Sequence, residues 1–384
     1  YEICRIADEL KQVGPIQNPK REARFHFELP GALQGFEAEG DGSSLTTLRN
    51  VPGHSKDGRR SLAWEFHHLA KGSWARISTP TFIPPDATGI SHYTLMACPT
   101  LYPGQLVRTR WEADPANSRP VRVSPFIAFY NGQDQLTRRY GPDLTINPGG
   151  SSEAAWPIEE TGGAPIARLG FELASALRNG GTLYLDYVDW KGAPTTIFRR
   201  PETGGSMWHR AWIDAFDKAD ARQAAAFHLC QGRGTGLFIQ GSRDWKDYRV
   251  EAAITPRLAK SFGLAARLQG LLRYYALLLG PGQRLQLVRS CDGVQVLAER
   301  PFEWRWERPY KFGLKVTGAK LAGSVNDEVA FKLEDTGAPL ASGGVAFICE
   351  EGLIMSDRLE IASGMAPQRM PQTKRGRRRG GVSS

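Results

Sequence analysis

Two carboxylates at alternate positions of one strand, about 5 Å apart, are what a β-rich chain needs to cleave a glycosidic bond with retention. This 384-residue sequence offers three approximations. Glu112 and Asp114 alternate correctly but run into Pro115. Asp186 and Asp189 have an odd separation, which sends their side chains to opposite faces of a strand. Glu299, Glu303 and Glu307 recur every four residues, but Pro301 and Pro309 break the helix that would align them. The pattern Glu-x-Asp-x-x-Glu is absent. His67 and His68 are adjacent and diverge on a strand, and no His-Glu-x-x-His occurs. No Gly-x-Ser-x-Gly elbow is present. The GRGTG at 232–236 lacks the Lys-Ser/Thr of a phosphate loop and is expected to be a hairpin turn. No catalytic residue is assigned from the sequence.

Binding is better supplied. Sugar rings present apolar CH faces that stack on aromatic side chains, and hydroxyls that pair with Arg, Asp, Asn or Gln. The chain has ten tryptophans, many near turn-rich segments. In the first half Trp74, His92, Tyr93, Tyr102 and Trp111 form one such set, and in the second Arg267, Tyr274, Tyr275, Trp304 and Trp306 form another. The residues expected to contact a glycan or glycoside are Trp74, Tyr93, Trp111, Arg267, Tyr275, Trp304 and Trp306. For any one aromatic, space-filling between sheets is the competing expectation. Arg267 is the most telling, because it interrupts the apolar strand LAARLQ, where a charge needs a groove, a partner or the wet face.

These residues sit on short alternating segments: FHFEL, SLAWEF, ARIST, VRTRWE, FIAFY, ARLGFEL and TLYLDYVDW, punctuated by Gly, Pro, Asn and Asp. After residues 195–207, which are rich in turn formers and read as a linker, a second run begins. There Tyr248, Val250, Ala252 and Ile254 share one face, as do Phe312, Leu314 and Val316, then Val329, Phe331 and Leu333. LLRYYALLL at 271–279 is expected to be a buried strand rather than a helix, being bounded by Gly270 and Gly280. LYLDYVDW at 183–190 and MSDRLEIA at 355–362 end the two runs alike, each with an Asp just before an alternating pattern. The reading is all-β: two tandem antiparallel β-sandwiches. Ile3, Ile6, Leu10 and Val13 predict a short amphipathic N-terminal helix.

The formal charge of +9 is concentrated at one end. Arg369, Lys374, Arg375, Arg377, Arg378 and Arg379 lie in the last sixteen residues, and without those six the charge is +3. The expectation is a disordered basic tail, with no nucleic acid as partner. Five scattered cysteines without a C-x-x-C pair argue against a disulfide framework and a zinc site, and leave the compartment open. No apolar run is long enough to span a bilayer, so no membrane is expected; the start at Tyr1 suggests a fragment. The expected division is 1–21 helix and linker, 22–194 first sandwich, 195–207 linker, 208–363 second sandwich and 364–384 tail.

The order FHFELPGALQGFEAEG, HSKDGRRSLAW, LYLDYVDW resembles the galactose-binding-like jelly rolls that serve as carbohydrate-binding modules. The resemblance implies a possible structural calcium held by the Glu of the first strand, the Asp of the last and a Gly-bearing loop. Here those positions are Glu28, Asp186 and the turn Lys56-Asp57-Gly58. DWKDYRVEAAI, FGLAARLQ, YYALLLGPGQRLQLV and VLAERPFEW resemble the concanavalin-like, laminin-G-type sandwich. With the opening YEICRIADELKQVG, the whole order is similar to the C-terminal accessory region of bacterial ADP-ribosylglycohydrolase-family proteins, which implies a catalytic domain upstream in cis. The function expected is a non-catalytic, carbohydrate-binding-type accessory pair of a bacterial hydrolase. The alternatives are a structural or interaction pair without glycan binding, and an autonomous sandwich glycosidase.

Overall fold

A computed structural model describes residues 19–41, 45–84, 97–174 and 179–364. The expected helix over 1–13, Tyr93, and all of the expected tail after Gly364 lie outside these residues.

The first sandwich is built from β1 (Glu37–Gly40), β2 (Leu45–Pro52), β3 (Arg60–Leu69), β4 (Trp74–Pro80), β5 (Leu106–Ala113), β6 (Val121–Tyr130), β7 (Leu136–Tyr140), β8 (Leu144–Ile146), β9 (Ser151–Pro157), β10 (Ile166–Ala174) and β11 (Asn179–Lys191). One sheet runs β1-β4-β10-β6-β7 with β8 on β6, and the facing sheet runs β2-β3-β11-β5-β9, with antiparallel pairing throughout. Period-two patterning dictates which residues enter the core. In β5, Val107, Thr109 and Trp111 point in, whereas Arg108, Arg110 and Glu112 point out. Trp111 meets Trp64 at 6.3 Å and Phe171 at 4.9 Å between ring centroids.

FHFEL, expected as a strand, is irregular. It makes one bridge, Phe25 to Val188, because Phe27 adopts φ +57° and turns its ring into the core. The left-handed residue is fixed from both sides: its N–H donates to Gln34 Oε1 and its carbonyl accepts from Asn50 Nδ2.

The second sandwich comprises β12 (Thr196–Arg199), β13 (Ile213–Ala215), β14 (Lys218–Ala219), β15 (Phe227–Gln240), β16 (Tyr248–Arg257), β17 (Ser261–Gly270), β18 (Arg273–Gly280), β19 (Arg284–Cys291), β20 (Val294–Pro301), β21 (Tyr310–Thr317), β22 (Lys320–Val325), β23 (Glu328–Glu334), β24 (Gly344–Ser356) and β25 (Arg358–Ser363). One layer is β20-β19-β18-β17-β24-β15, and the other is β23-β22-β21-β16-β25-β12. The layers join where Thr255–Arg257 of β16 pair with β24.

Three expectations change. Residues 195–207 are not only linker, since β12 adds itself to the second sandwich by pairing with β25. GRGTG is not a hairpin but a bulge inside β15, where the register against β24 shifts between Gln231 and Thr235. Val329 is exposed, because β23 is an edge strand whose pairing to β22 slips between Gly323 and Ser324. LLRYYALLL does contain a strand, β18, with Tyr275, Leu277 and Leu279 in the core.

The sandwiches share apolar contacts. Tyr102 of the first packs edge-on against Trp245 of the second at 4.8 Å, and its hydroxyl donates to Gln240 Oε1 at 2.7 Å. The short helix α1 (Met207–Arg210) lies beside them, with His209 at 4.9 Å from the Phe238 ring. Burial, then the charge of Arg200, pushes the His209 imidazole down to about 4. A histidine whose folded value lies below its ordinary one stabilises the fold above pH ~6.5, and that contribution disappears as pH falls through about 4. Thermal midpoints should therefore drop across this window, by the equivalent of about 3 kcal/mol, and His209→Phe should flatten that part of the profile. A profile indifferent to the substitution contradicts the assignment.

Candidate functional site

The outer face of β4, β10, β6 and β7 carries a connected set of sugar-compatible side chains. Alternation sends Ala75, Ile77 and Thr79 of β4 inward and leaves Trp74, Arg76 and Ser78 outside. In β10 the inward Phe171 and Leu173 leave Gly170 and Glu172 outside. Register then aligns them: Arg76 faces Glu172, which faces Ser124, while Ser78, Gly170, Phe126 and Tyr140 form the next row.

The hydrogen bonding is closed and directional. Arg76 Nε donates to Glu172 Oε2, and the Tyr140 hydroxyl donates to the same oxygen at 2.7 Å. The Arg76 guanidinium lies 3.5 Å over the Trp74 ring. Arg76 and Glu172 sit low on the face, with side chains 11% and 13% exposed, while Tyr140 is 46% exposed and Trp74 is half-buried. Burial, then the hydrogen bond to Glu172, raises the Tyr140 phenol above its ordinary value, so it remains a donor throughout the neutral range. Gly170 is needed here. A Cβ there would meet the Phe126 ring and lie 2.7 Å from the Ile77 carbonyl. The arrangement offers aromatic surface, two cationic donors in Arg76 and Arg168, and a carboxylate acceptor.

The residues expected from sequence to bind ligand scatter. Trp74 belongs to this face. Trp111 is 1% exposed and fills the first core, with Nε1 donating to Thr109 Oγ1, so its assignment to ligand is corrected. Tyr275 is fully buried and donates to Asp335 Oδ2 at 2.6 Å; Trp304 is buried, with Nε1 on the Gly280 carbonyl. Both are corrected likewise: alternation points Tyr275 between the sheets, and Trp304, in the loop before β21, packs on Phe262 at 5.2 Å between ring centroids. Trp306 is exposed and stands apart, Nε1 donating to the Ala259 carbonyl. Tyr102 and Tyr274, members of the same sets, are buried.

Arg267 is also buried. It sits at φ +50° on a bulge of β17, where the register against β24 shifts between Ala266 and Leu268. Its guanidinium donates to the carbonyls of Gly318, Leu340 and Lys246 and to Asp247 Oδ1. It thereby fixes Lys246 and Asp247 on the wall of a cleft of about 540 Å³ between the sandwiches. That cleft is bridged by Arg24, which pairs with Asp244 at 2.7 Å and covers the Trp190 ring at 4.5 Å. Trp190 is itself only 1% exposed, so the cleft offers no aromatic ring on which a sugar could stack.

In the second sandwich the face opposite the main core is closed to ligand. Leu237, Ile239, Ala265, Ala276, Ala346 and Ile348 on that face are all buried.

Sequence reading missed Arg76, Tyr140 and Glu172. For Arg76 and Glu172 the signal was present, since each charge falls at the outward parity of a strand whose alternate residues are largely apolar; Tyr140, on the polar strand β7, carried no such signal.

Candidate acids are held by neighbours. Glu112 pairs with His54 at 2.8 Å, and Asp114 accepts from Tyr184 at 2.7 Å. Among the described residues no group of three or more His, Cys, Asp or Glu could hold a metal.

Glu28 and Asp186 do converge, and a cation lies between them, but it is the ammonium of Lys20. Lys20 Nζ is 3.0 Å from Glu28 Oε1 and 2.8 Å from Asp186 Oδ1. The 56–58 turn and its neighbours, expected to offer carbonyls to calcium, offer N–H groups to the carboxylates instead: Lys56 N to Asp186, and Arg59 N and Arg60 N to Glu28. Asp57, expected in the same ligand set, makes neither of these contacts through its own N–H. With Lys20 in place the residues do not fit a calcium ion.

No family model matches the sequence, and no curated protein does. Solved structures with some likeness include the carbohydrate binding module CBM66 from Bacillus subtilis, at 12% identity and TM-score 0.36 over 40% of this chain and 95% of that one. A Bacillus subtilis protein of unknown function with a galectin-like fold gives 13% and 0.33, over 41% and 91%. A xylan-binding domain from CBM 22 gives 12% and 0.31, over 46% and 96%. Likeness this slight carries no argument about what the chain binds.

Proposed function

We propose that the chain is a carbohydrate-binding pair of β-sandwiches in which the outer face of the first takes the glycan. The observation that carries this reading is the cluster in which Trp74, Arg76, Glu172 and Tyr140 place aromatic surface beside a fixed donor and acceptor set. A pyranose or furanose ring needs both at once, an apolar face to stack on and directional partners for its hydroxyls. The second sandwich then acts as a brace, its expected binding residues other than Trp306 being internal and the outer face of its β15-β24-β17-β18 layer closed. We infer further that the pair serves a hydrolase in the same polypeptide, in keeping with the similarity of the opening segment to accessory regions of ADP-ribosylglycohydrolase-family proteins.

A glycan array probed with the full chain tests the binding reading. Saturable binding to at least one class of polysaccharide is expected. No binding across plant, fungal and bacterial glycans contradicts it and favours a purely structural pair.

A further inference from the structure

The buried cluster at the open end of the first sandwich was expected to hold a metal, and its composition says otherwise. Four charged side chains meet there: Lys20, Glu28, Arg110 and Asp186. The Lys20 and Asp186 side chains are each 1% exposed. Lys20 Nζ also donates to the Arg60 carbonyl, and Arg110 Nη1 reaches Asp186 Oδ2 at 3.0 Å. The charges of the four sum to zero, so a divalent ion added beside the ammonium would leave a buried excess of two, a large penalty in a dry site.

The backbone agrees with this accounting. Asp186 stands at a bulge of β11, where the register against β5 shifts between Leu185 and Tyr187, and the bulge turns its carboxylate toward the 53–60 loop. Gly58, at φ +145°, lets that loop close over the pair: a Cβ there would lie 2.5 Å from Glu28 Oε1 and 2.7 Å from Lys20 Cδ. Three stretches far apart in sequence, the 3₁₀ turn Pro19–Glu22, the 53–60 loop and β11, are thus tied at one nitrogen. Tying such junctions with hard oxygens is the work of a structural calcium.

We propose that the Lys20 ammonium is a built-in counter-cation that replaces a metal ion at this junction, so that the pocket becomes a divalent-cation site only when the amine is removed. The proposal does not depend on the glycan reading. Without Lys20, two carboxylates and the Arg60 carbonyl are left facing one another with Arg110 as the sole balancing charge.

The test uses the full chain and two variants, with calcium chloride and EDTA as the probes. Wild type should show the same thermal midpoint in either, and no heat of calcium binding. Lys20→Ala should lose on the order of 10 °C in EDTA, because an uncompensated buried charge is left behind, and should recover at least half of it in millimolar calcium. Lys20→Met, which fills the space without the charge, should be destabilised and insensitive to calcium. A wild-type midpoint that falls in EDTA and rises with calcium overturns the proposal. So does a Lys20→Ala protein that behaves identically in calcium and EDTA, whether folded or unfolded.

Discussion

Arg267→Ala should destabilise the second sandwich by about 3–5 kcal/mol, the cost of opening a buried charged network from one side. The guanidinium satisfies the Gly318 and Leu340 carbonyls at 2.5 and 2.6 Å, both in loops outside the strands. Alanine would leave these acceptors without a donor and Asp247 without its cation. It would also loosen the Tyr248 hydroxyl, which accepts from Arg267 N and donates toward the Gly343 and Gly344 carbonyls. Arg267→Lys keeps the charge but not the fork, so it should recover only part of the loss. Denaturant unfolding gives the measurement, and a change below about 1 kcal/mol contradicts a structural role for this side chain. At temperatures where the variant is folded, glycan affinity should not change.

Trp74→Ala carries the second large effect, on binding rather than stability. Its indole is the largest aromatic ring system on the proposed face, and the Arg76 guanidinium lies over it at 3.5 Å. Removing a stacking aromatic and releasing the cation beside it should weaken glycan affinity about 100-fold or more, the scale of an interface hot spot. Glu172→Gln should act in the same direction by a smaller factor, about tenfold. It replaces the charged acceptor of both Arg76 and Tyr140 with a neutral amide.

Much of the architecture is written in period-two patterning. β16 and β21 have their inward residues at Tyr248, Val250, Ala252, Ile254 and at Phe312, Leu314, Val316, as alternation requires. β18 is a strand despite its leucine-rich composition, because both its edges pair with neighbouring strands. The same patterning, followed strictly, would have separated Trp74 from Trp111. Trp111 shares parity with Val107 and Thr109, whereas Trp74 shares parity with Arg76 and Ser78. Counting aromatics near turns discards that parity, which is why it places Trp111 and Tyr275 at a ligand; Trp304, in a loop, has no parity to read.

Other features are invisible to local pattern. Lys20 precedes the first strand in a turn with no periodicity, and its encounter with Asp186 is made entirely by tertiary packing. Residues 196–199 look like linker because Pro194 and Pro201 flank them, yet they pair as an edge strand, a position where flanking prolines are tolerated. The bulges at Asp186 and Arg267 each add one residue, and that at 232–234 adds two, which alternation alone cannot place.

Isothermal calorimetry of wild type, Trp74→Ala and Trp306→Ala against a glycan selected by the array tests the central claim most directly. Both substitutions remove a tryptophan, one from the Arg76, Glu172 and Tyr140 cluster and one from an isolated exposed position on the second sandwich. The expected result is loss of binding in Trp74→Ala with wild-type affinity in Trp306→Ala. Wild-type affinity in a folded Trp74→Ala protein, or loss confined to Trp306→Ala, would show that the glycan is not held on the outer face of the first sandwich.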